Sequence, residues 1–137
     1  MTTGTTTATI AAARPVTSAD RDAIAATIAD YYLGWYDGDA DRMARALHPQ
    51  LVKRGWLRDR AGGRALDGDD ATSMIEATRL GQGRTDDPGR RGYVIRAVEV
   101  YDDIASACVY AVPYVDYLHL VRTGAGWQIV HGLWRRP

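Results

Sequence analysis

The chain has 137 residues and a mass of 15.0 kDa, which fits one domain around one hydrophobic core and excludes a two-domain enzyme. Hydrophobic residues at 46%, charged residues at 25% and a mean hydropathy of -0.29 exclude a disordered chain and a membrane protein. Lys plus Arg number 17 and Asp plus Glu 17, so no global field draws in a phosphate backbone, and nucleic acid is excluded as the main partner.

Residues 1–17 are rich in Thr and Ala, with neither a basic start nor an apolar run of membrane or leader length; they read as a disordered tail on a cytoplasmic protein. A single domain is expected over 18–137. Thr17 or Ser18 caps a first helix, in which Ile24, Thr27, Ile28, Tyr31, Tyr32 and Trp35 recur at a period near 3.6 before Gly38 ends it. Asp39 caps a short second helix, halted by His48-Pro49 because the residue before proline avoids helical geometry. The types in LVKRGWLRD suggest a strand, followed by a turn-rich AGGRALDGDD read as a short hairpin or loop. Asp69 or Asp70 caps a third helix that turns Met74, Ile75, Thr78 and Leu80 inward and ends at Gly81-Gln82-Gly83. A flexible charged loop, RTDDPGRRG, comes next.

From Tyr93 the period changes to that of strands: YVIRAVEVYD, a long IASACVYAVPYVDYLHLVR bent at Pro113, and GWQIVHGLWRR. Helices first and a curved antiparallel sheet after them predict an α+β fold. The single lysine, Lys53, and the two glutamates, Glu76 and Glu99, read as compositional bias in an Arg- and Asp-rich chain. One cysteine, Cys108, permits no internal disulfide and suits a reducing compartment. Eight Tyr and four Trp with no Phe favour a cavity that offers hydrogen bonds, since every ring carries a polar atom.

Four stretches carry a resemblance: YYLGWYDGD, LHPQLVKR, the helix ending in GQG, and YVDYLHLVRTGAGWQIVHGLW. Together, over about residues 18–135, they resemble the putative lumazine-binding family of the nuclear-transport-factor-2-like, or SnoaL-like, superfamily. The resemblance implies a cone of curved antiparallel sheet closed by three helices, a pocket inside, and a homodimer through the outer sheet face. The superfamily holds lyases, isomerases, cyclases and members without activity, so function has to be argued from the side chains of the cone.

Tyr31 stands eight residues before Asp39, a spacing similar to that of the oxyanion-donating tyrosine of ketosteroid isomerases. The slot for the base of those enzymes falls near Gly55, between Arg54 and Trp56, where no base is present. Asp116 alternates with Tyr114, Leu118 and Leu120 on one strand face, either as a proton-transfer group or as the ion-pair partner of Arg54, Arg96 or Arg122. His131, with Trp127, Ile129 and Leu133, points into the cone by comparison with the superfamily, and histidine suits proton transfer near neutral pH. His119 falls on the outer face with Tyr117 and Val121, and His48 serves a helix-end corner. The expected catalytic set is therefore Tyr31, Asp116 and His131, and the expected substrate wall Trp35, Arg54, Trp56, Tyr114 and Leu118.

No pair of histidines has metal-ligand spacing, and no nucleotide loop or serine elbow is present, so no cofactor and no metal are expected. These readings converge on a cofactor-free pocket enzyme acting by acid-base catalysis on a small hydrophobic or aromatic metabolite. The alternative is a dimeric ligand-binding or accessory module without turnover.

Overall fold

The computed structural model describes residues 4, 7–12 and 14–137. The expected tail lies partly outside these residues; in its described part Arg14 pairs with Asp102 and Val16 packs against the core.

Helix α1 (Ser18–Asp37) starts where the Thr17 side chain accepts from the Asp20 amide, 3.1 Å away, and ends at Gly38, whose φ of 66° is left-handed geometry open to glycine at no steric cost. Asp39 caps α2 (Ala40–Ala46) by accepting from the Arg42 amide. His48 and Pro49 then belong to strand β1 (Leu47–Arg58), so the chain passes from helix to strand with no corner loop. The His48 ring does not serve helix carbonyls; its Nδ1 accepts from the Gln50 amide at 3.0 Å. Strand β2 (Arg64–Asp70) returns along β1, making AGGRALDGDD one arm of a hairpin. Asp70 closes β2 and caps α3 (Ala71–Arg79) in a reciprocal pair with Ser73. Met74 and Thr78 of α3 are buried, whereas Leu80, expected inward, is exposed at its end.

The charged loop carries a 3-10 turn (Pro88–Arg90) and is pinned by Arg91, which donates to the Tyr36 and Thr85 carbonyls and pairs with Asp37 at 2.7 Å. Strands β3 (Tyr93–Tyr101), β4 (Ile104–Ala111), β5 (Val115–Thr123) and β6 (Gly126–Arg135) follow. The long bent strand of the sequence reading is two strands, β4 and β5. Pro113 sits in the turn between them, after a cis Val112–Pro113 peptide, where its missing N–H costs no ladder bond.

The six strands form one open sheet in the order β2-β1-β6-β5-β4-β3. Four of the five neighbouring pairs are antiparallel, but β1 and β6 run parallel, so the sheet is mixed and not wholly antiparallel. Helix α1 packs over β3 and β6, and α3 over β1 and β2. Thr27 ties α1 to the sheet by donating to the Trp127 carbonyl at 2.8 Å. Between the layers lies a core of Ile24, Ile28, Met43, Leu51, Val109, Leu118, Leu120 and Ile129, all 2% exposed or less. Each such aliphatic side chain contributes roughly 1.5–3 kcal/mol of transfer free energy. The result is an α+β fold in which three helices close one face of a curved sheet.

Candidate functional site

Alternation along the strands decides what reaches the space between helices and sheet. On β1 the inward residues are Leu51, Lys53, Gly55 and Leu57, and the outward ones Val52, Arg54 and Trp56. Lys53 faces Asp69 of β2 directly across the strand pair, and Gly55 faces Asp67. On β5, Asp116 and Leu118 point inward. On β6 the parity changes. Between the pairs His119↔His131 and Leu120↔Ile129, β6 spends one extra residue, a bulge that turns Gly132 and Trp134 inward and His131 and Leu133 outward.

These placements enclose a cavity of about 290 Å³. Tyr31, Tyr32 and Trp35 of α1 form one wall, Lys53 and Leu57 of β1 another, and Asp116 of β5, Trp134 of β6 and Tyr114 of the turn before β5 the floor, with Asp67 and Asp69 of β2 also in the lining. Trp134 lies against Gly55 so closely that a Cβ there would stand 2.8 Å from the indole. The slot near Gly55 is therefore filled by a tryptophan ring, and glycine is needed for that approach. The Trp35 indole N–H donates to the Tyr114 hydroxyl at 3.2 Å, fixing both rings.

Asp116 is 1% exposed, and the Tyr32 hydroxyl donates to its Oδ2. Its Oδ1 has no hydrogen-bond partner among the described residues. Among the described residues no arginine pairs with it, which corrects the expected pairing with Arg54, Arg96 or Arg122: Arg54 is exposed, Arg96 lies over the Tyr110 ring, and Arg122 pairs with Asp20 at 3.4 Å. Two cations line the cavity, Arg136 and Lys53; the Lys53 Nζ donates to the Tyr31 hydroxyl and lies 5.1 Å and 5.2 Å from the centres of the Tyr31 and Trp134 rings.

Burial pushes the Asp116 carboxyl above its ordinary range, opposed by Lys53 and by the Tyr32 hydrogen bond. Burial likewise pushes the Lys53 ammonium below its ordinary range, opposed by Asp116 and Asp69. The Tyr31 and Tyr32 phenols are held protonated, first by burial and then by the Asp116 charge. Tyr36, which donates to the Val112 carbonyl at 2.9 Å, is pushed up to about 12, mainly by burial. The site thus offers the Tyr31 phenol as a donor, a carboxyl with one unpartnered oxygen, and an amine whose charge is disfavoured.

Of the expected residues, the structure brings Tyr31, Trp35, Tyr114 and Asp116 together around the cavity. Leu118 is core, packed beside Gly132 and not on the cavity wall. Arg54 and Trp56 lie on the outer face, because β1 alternates in the other register. His131 also lies outside, with its Nδ1 3.2 Å from Nδ1 of His119, so the bulge overturns its expected inward position. Sequence reasoning missed Lys53 and Tyr32. A signal for Lys53 was available: it is the one lysine of the chain, spaced by two from Leu51 and Gly55. Among the described residues no three His, Cys, Asp or Glu side chains are grouped to hold a metal ion.

A profile of the Putative lumazine-binding family matches residues 19–135. The chain belongs to that family. The solved structures it is similar to include a nuclear-transport-factor-2-like protein of unknown function from Silicibacter pomeroyi DSS-3, with a TM-score of 0.72 at 20% identity, covering 90% of this chain and 100% of that one. Another, also of unknown function, comes from Shewanella baltica OS155, with a TM-score of 0.70 at 17% identity over 88% and 96% of the two chains. A Nostoc punctiforme PCC 73102 domain with a cystatin-like fold aligns with a TM-score of 0.61 at 16% identity, over 89% and 80%. At these identities the likeness is one of fold. No curated protein matches the chain in sequence.

Proposed function

We propose that this family member is a small-molecule pocket enzyme of the lyase, isomerase or cyclase type, working without a cofactor by acid-base catalysis on a small hydrophobic or aromatic metabolite. The observation that carries the reading is the open Oδ1 of buried Asp116 in a cavity walled by phenols and indoles. A buried polar atom without a partner costs about 1–3 kcal/mol, a cost that a ligand O–H or N–H in the cavity recovers. Asp116 is then the group that moves the proton. Tyr31, accepting from Lys53, keeps its own proton for a developing oxyanion. His131 has no part in this chemistry.

A thermal-shift screen against aromatic, terpenoid, polyketide-like and pterin compounds tests the reading, because a ligand of the folded state raises the melting temperature by mass action. A hit turned over by the wild type is expected to lose about 10²–10⁴-fold in rate in Asp116→Asn, and less in Tyr31→Phe. A hit bound but never transformed assigns the chain to ligand binding without turnover.

We also propose that the outer sheet face pairs with a second copy of the chain. Trp56, Leu66, Tyr117 and Leu133 lie there, each 41% exposed or more, and a continuous apolar face of this kind is rare on a monomer. Light scattering is expected to give twice the chain mass, falling to the chain mass in Tyr117→Arg. The unpaired Cys108 supports a cytoplasmic location; among the described residues no helix is long and apolar enough to cross a membrane.

A further inference from the structure

The acid-base reading gives Lys53 no chemistry beyond its hydrogen bond to Tyr31. Lys53 is the only lysine in the chain, in a protein that uses arginine everywhere else a cation is needed. Arginine at this position would bring a charge that cannot be shed, whereas Lys53 has no carboxylate within salt-bridge distance among the described residues and donates to the neutral hydroxyl of Tyr31. Its stem packs against Gly132, and its amine lies near the Tyr31 and Trp134 rings, in the same cavity that Asp116 lines. A simple structural cation does not need an unpartnered buried carboxyl beside it.

We propose that Lys53 is an amine nucleophile that forms an imine with the carbonyl carbon of a small ketone or aldehyde bound in the cavity. This rests on reading the cavity as a small-molecule site. Burial favours the uncharged amine, the form with the lone pair that attacks. In the first step the Nζ pair forms the C–N bond, the carbonyl π pair moves to oxygen, and the Asp116 carboxyl gives that oxygen its proton. The nitrogen returns a proton to Asp116, which passes it to the new hydroxyl; that group leaves as water while the nitrogen pair closes the C=N bond. The products are a protonated imine on Lys53, an Asp116 carboxylate and one water, with no oxidant or reductant required. The carboxylate can then take a proton from the carbon next to the imine, leaving a neutral enamine. The fitting substrate class is a carbonyl compound with a flat apolar body and a C–H beside the carbonyl, since Trp35, Tyr114 and Trp134 wall the site.

The probe is 2,4-pentanedione, which condenses with a neutral amine to a conjugated enaminone that needs no reduction. The full chain carries only two kinds of primary amine, Lys53 and the α-amino group, so peptide mapping by mass spectrometry assigns any adduct. We expect one adduct on Lys53, of the mass of the dione less one water, forming at pH 7 about tenfold or more faster in the folded chain than in the denaturant-unfolded one, where the lysine is an ordinary protonated side chain. Lys53→Met is expected to lose it, with folding checked by circular dichroism. The wild-type map and the folded-to-unfolded rate ratio decide the question even where that variant does not fold. Modification confined to the α-amino group, or a Lys53 rate no faster than in the unfolded chain, overturns the proposal. A dione or panel compound that raises the melting temperature while Lys53 stays unmodified overturns the amine chemistry and leaves the pocket reading standing. Silence from all compounds together with an unmodified Lys53 overturns both.

Discussion

The two faces of the sheet are built from the same strands, yet they treat polar groups in opposite ways. Inside, Asp116, Lys53, Tyr31 and Tyr32 are few, enclosed and individually partnered, apart from the one open carboxyl oxygen. Outside, His119, His131, Arg54 and Glu99 stand in solvent among exposed Tyr117, Leu133 and Ile104. A side chain's meaning is therefore set by the parity of its strand position before its chemistry is considered. Leu118 and Leu133 make this plain: they lie on the neighbouring strands β5 and β6, yet one is 1% exposed and the other 50%.

The contrast is most easily broken by truncating those two leucines. Leu118→Ala is expected to cost about 2–5 kcal/mol in urea unfolding, while Leu133→Ala in the dissociated chain stays within about 0.5 kcal/mol; equal losses would remove the distinction between faces. Next in size is Gly55→Ala, which drives a methyl into the Trp134 ring and is expected to cost about 1–3 kcal/mol by overpacking. Gly68→Ala, on the adjoining strand with open space around it, serves as its control. Titration sharpens the inner side. A carboxyl raised in the folded state is stabilising below its unfolded value of 3.8 and loses that contribution as pH climbs toward the folded value. Asp116→Asn is therefore expected to gain melting temperature relative to wild type as pH rises from about 4, and an unchanging gap would refute the raised carboxyl. Smallest of all, His131→Ala is expected to change stability by less than about 0.5 kcal/mol and to leave ligand affinity in the cavity unaltered.

Much of the fold could be read from the residues because its signals are local. Thr17, Asp39 and Asp70 cap the three helices, and Gly38 ends the first, as side-chain chemistry within a few residues dictates. Asp116 stood out for the same reason, a carboxylate in an apolar alternation. What escaped is non-local. Strand β1 carries apolar residues in both registers, Leu51 and Leu57 against Val52 and Trp56, so alternation alone could not say that Lys53 faces in and Arg54 out. The register shift in β6 leaves no mark in GWQIVHGLWRR, and without it His131 is placed on the wrong face. Pro113 marked an interruption, but a bent strand and a hairpin turn satisfy its missing donor equally well. The parallel β1–β6 contact links segments about eighty positions apart, and no neighbouring residue announces it.

That last contact has a consequence for how the protein comes into being. Leu47 pairs with Ile129 and Gly55 with Trp134, so the middle of the sheet joins the early and late parts of the chain, and a large loop must close before its ladder rewards the effort. Tyr31 and Lys53 leave the ribosome long before Asp116 and Trp134. The cavity cannot be assembled piecemeal during synthesis; it comes into existence only when the final strand slots between β1 and β5, so acquiring the native topology and acquiring the binding site are a single kinetic event.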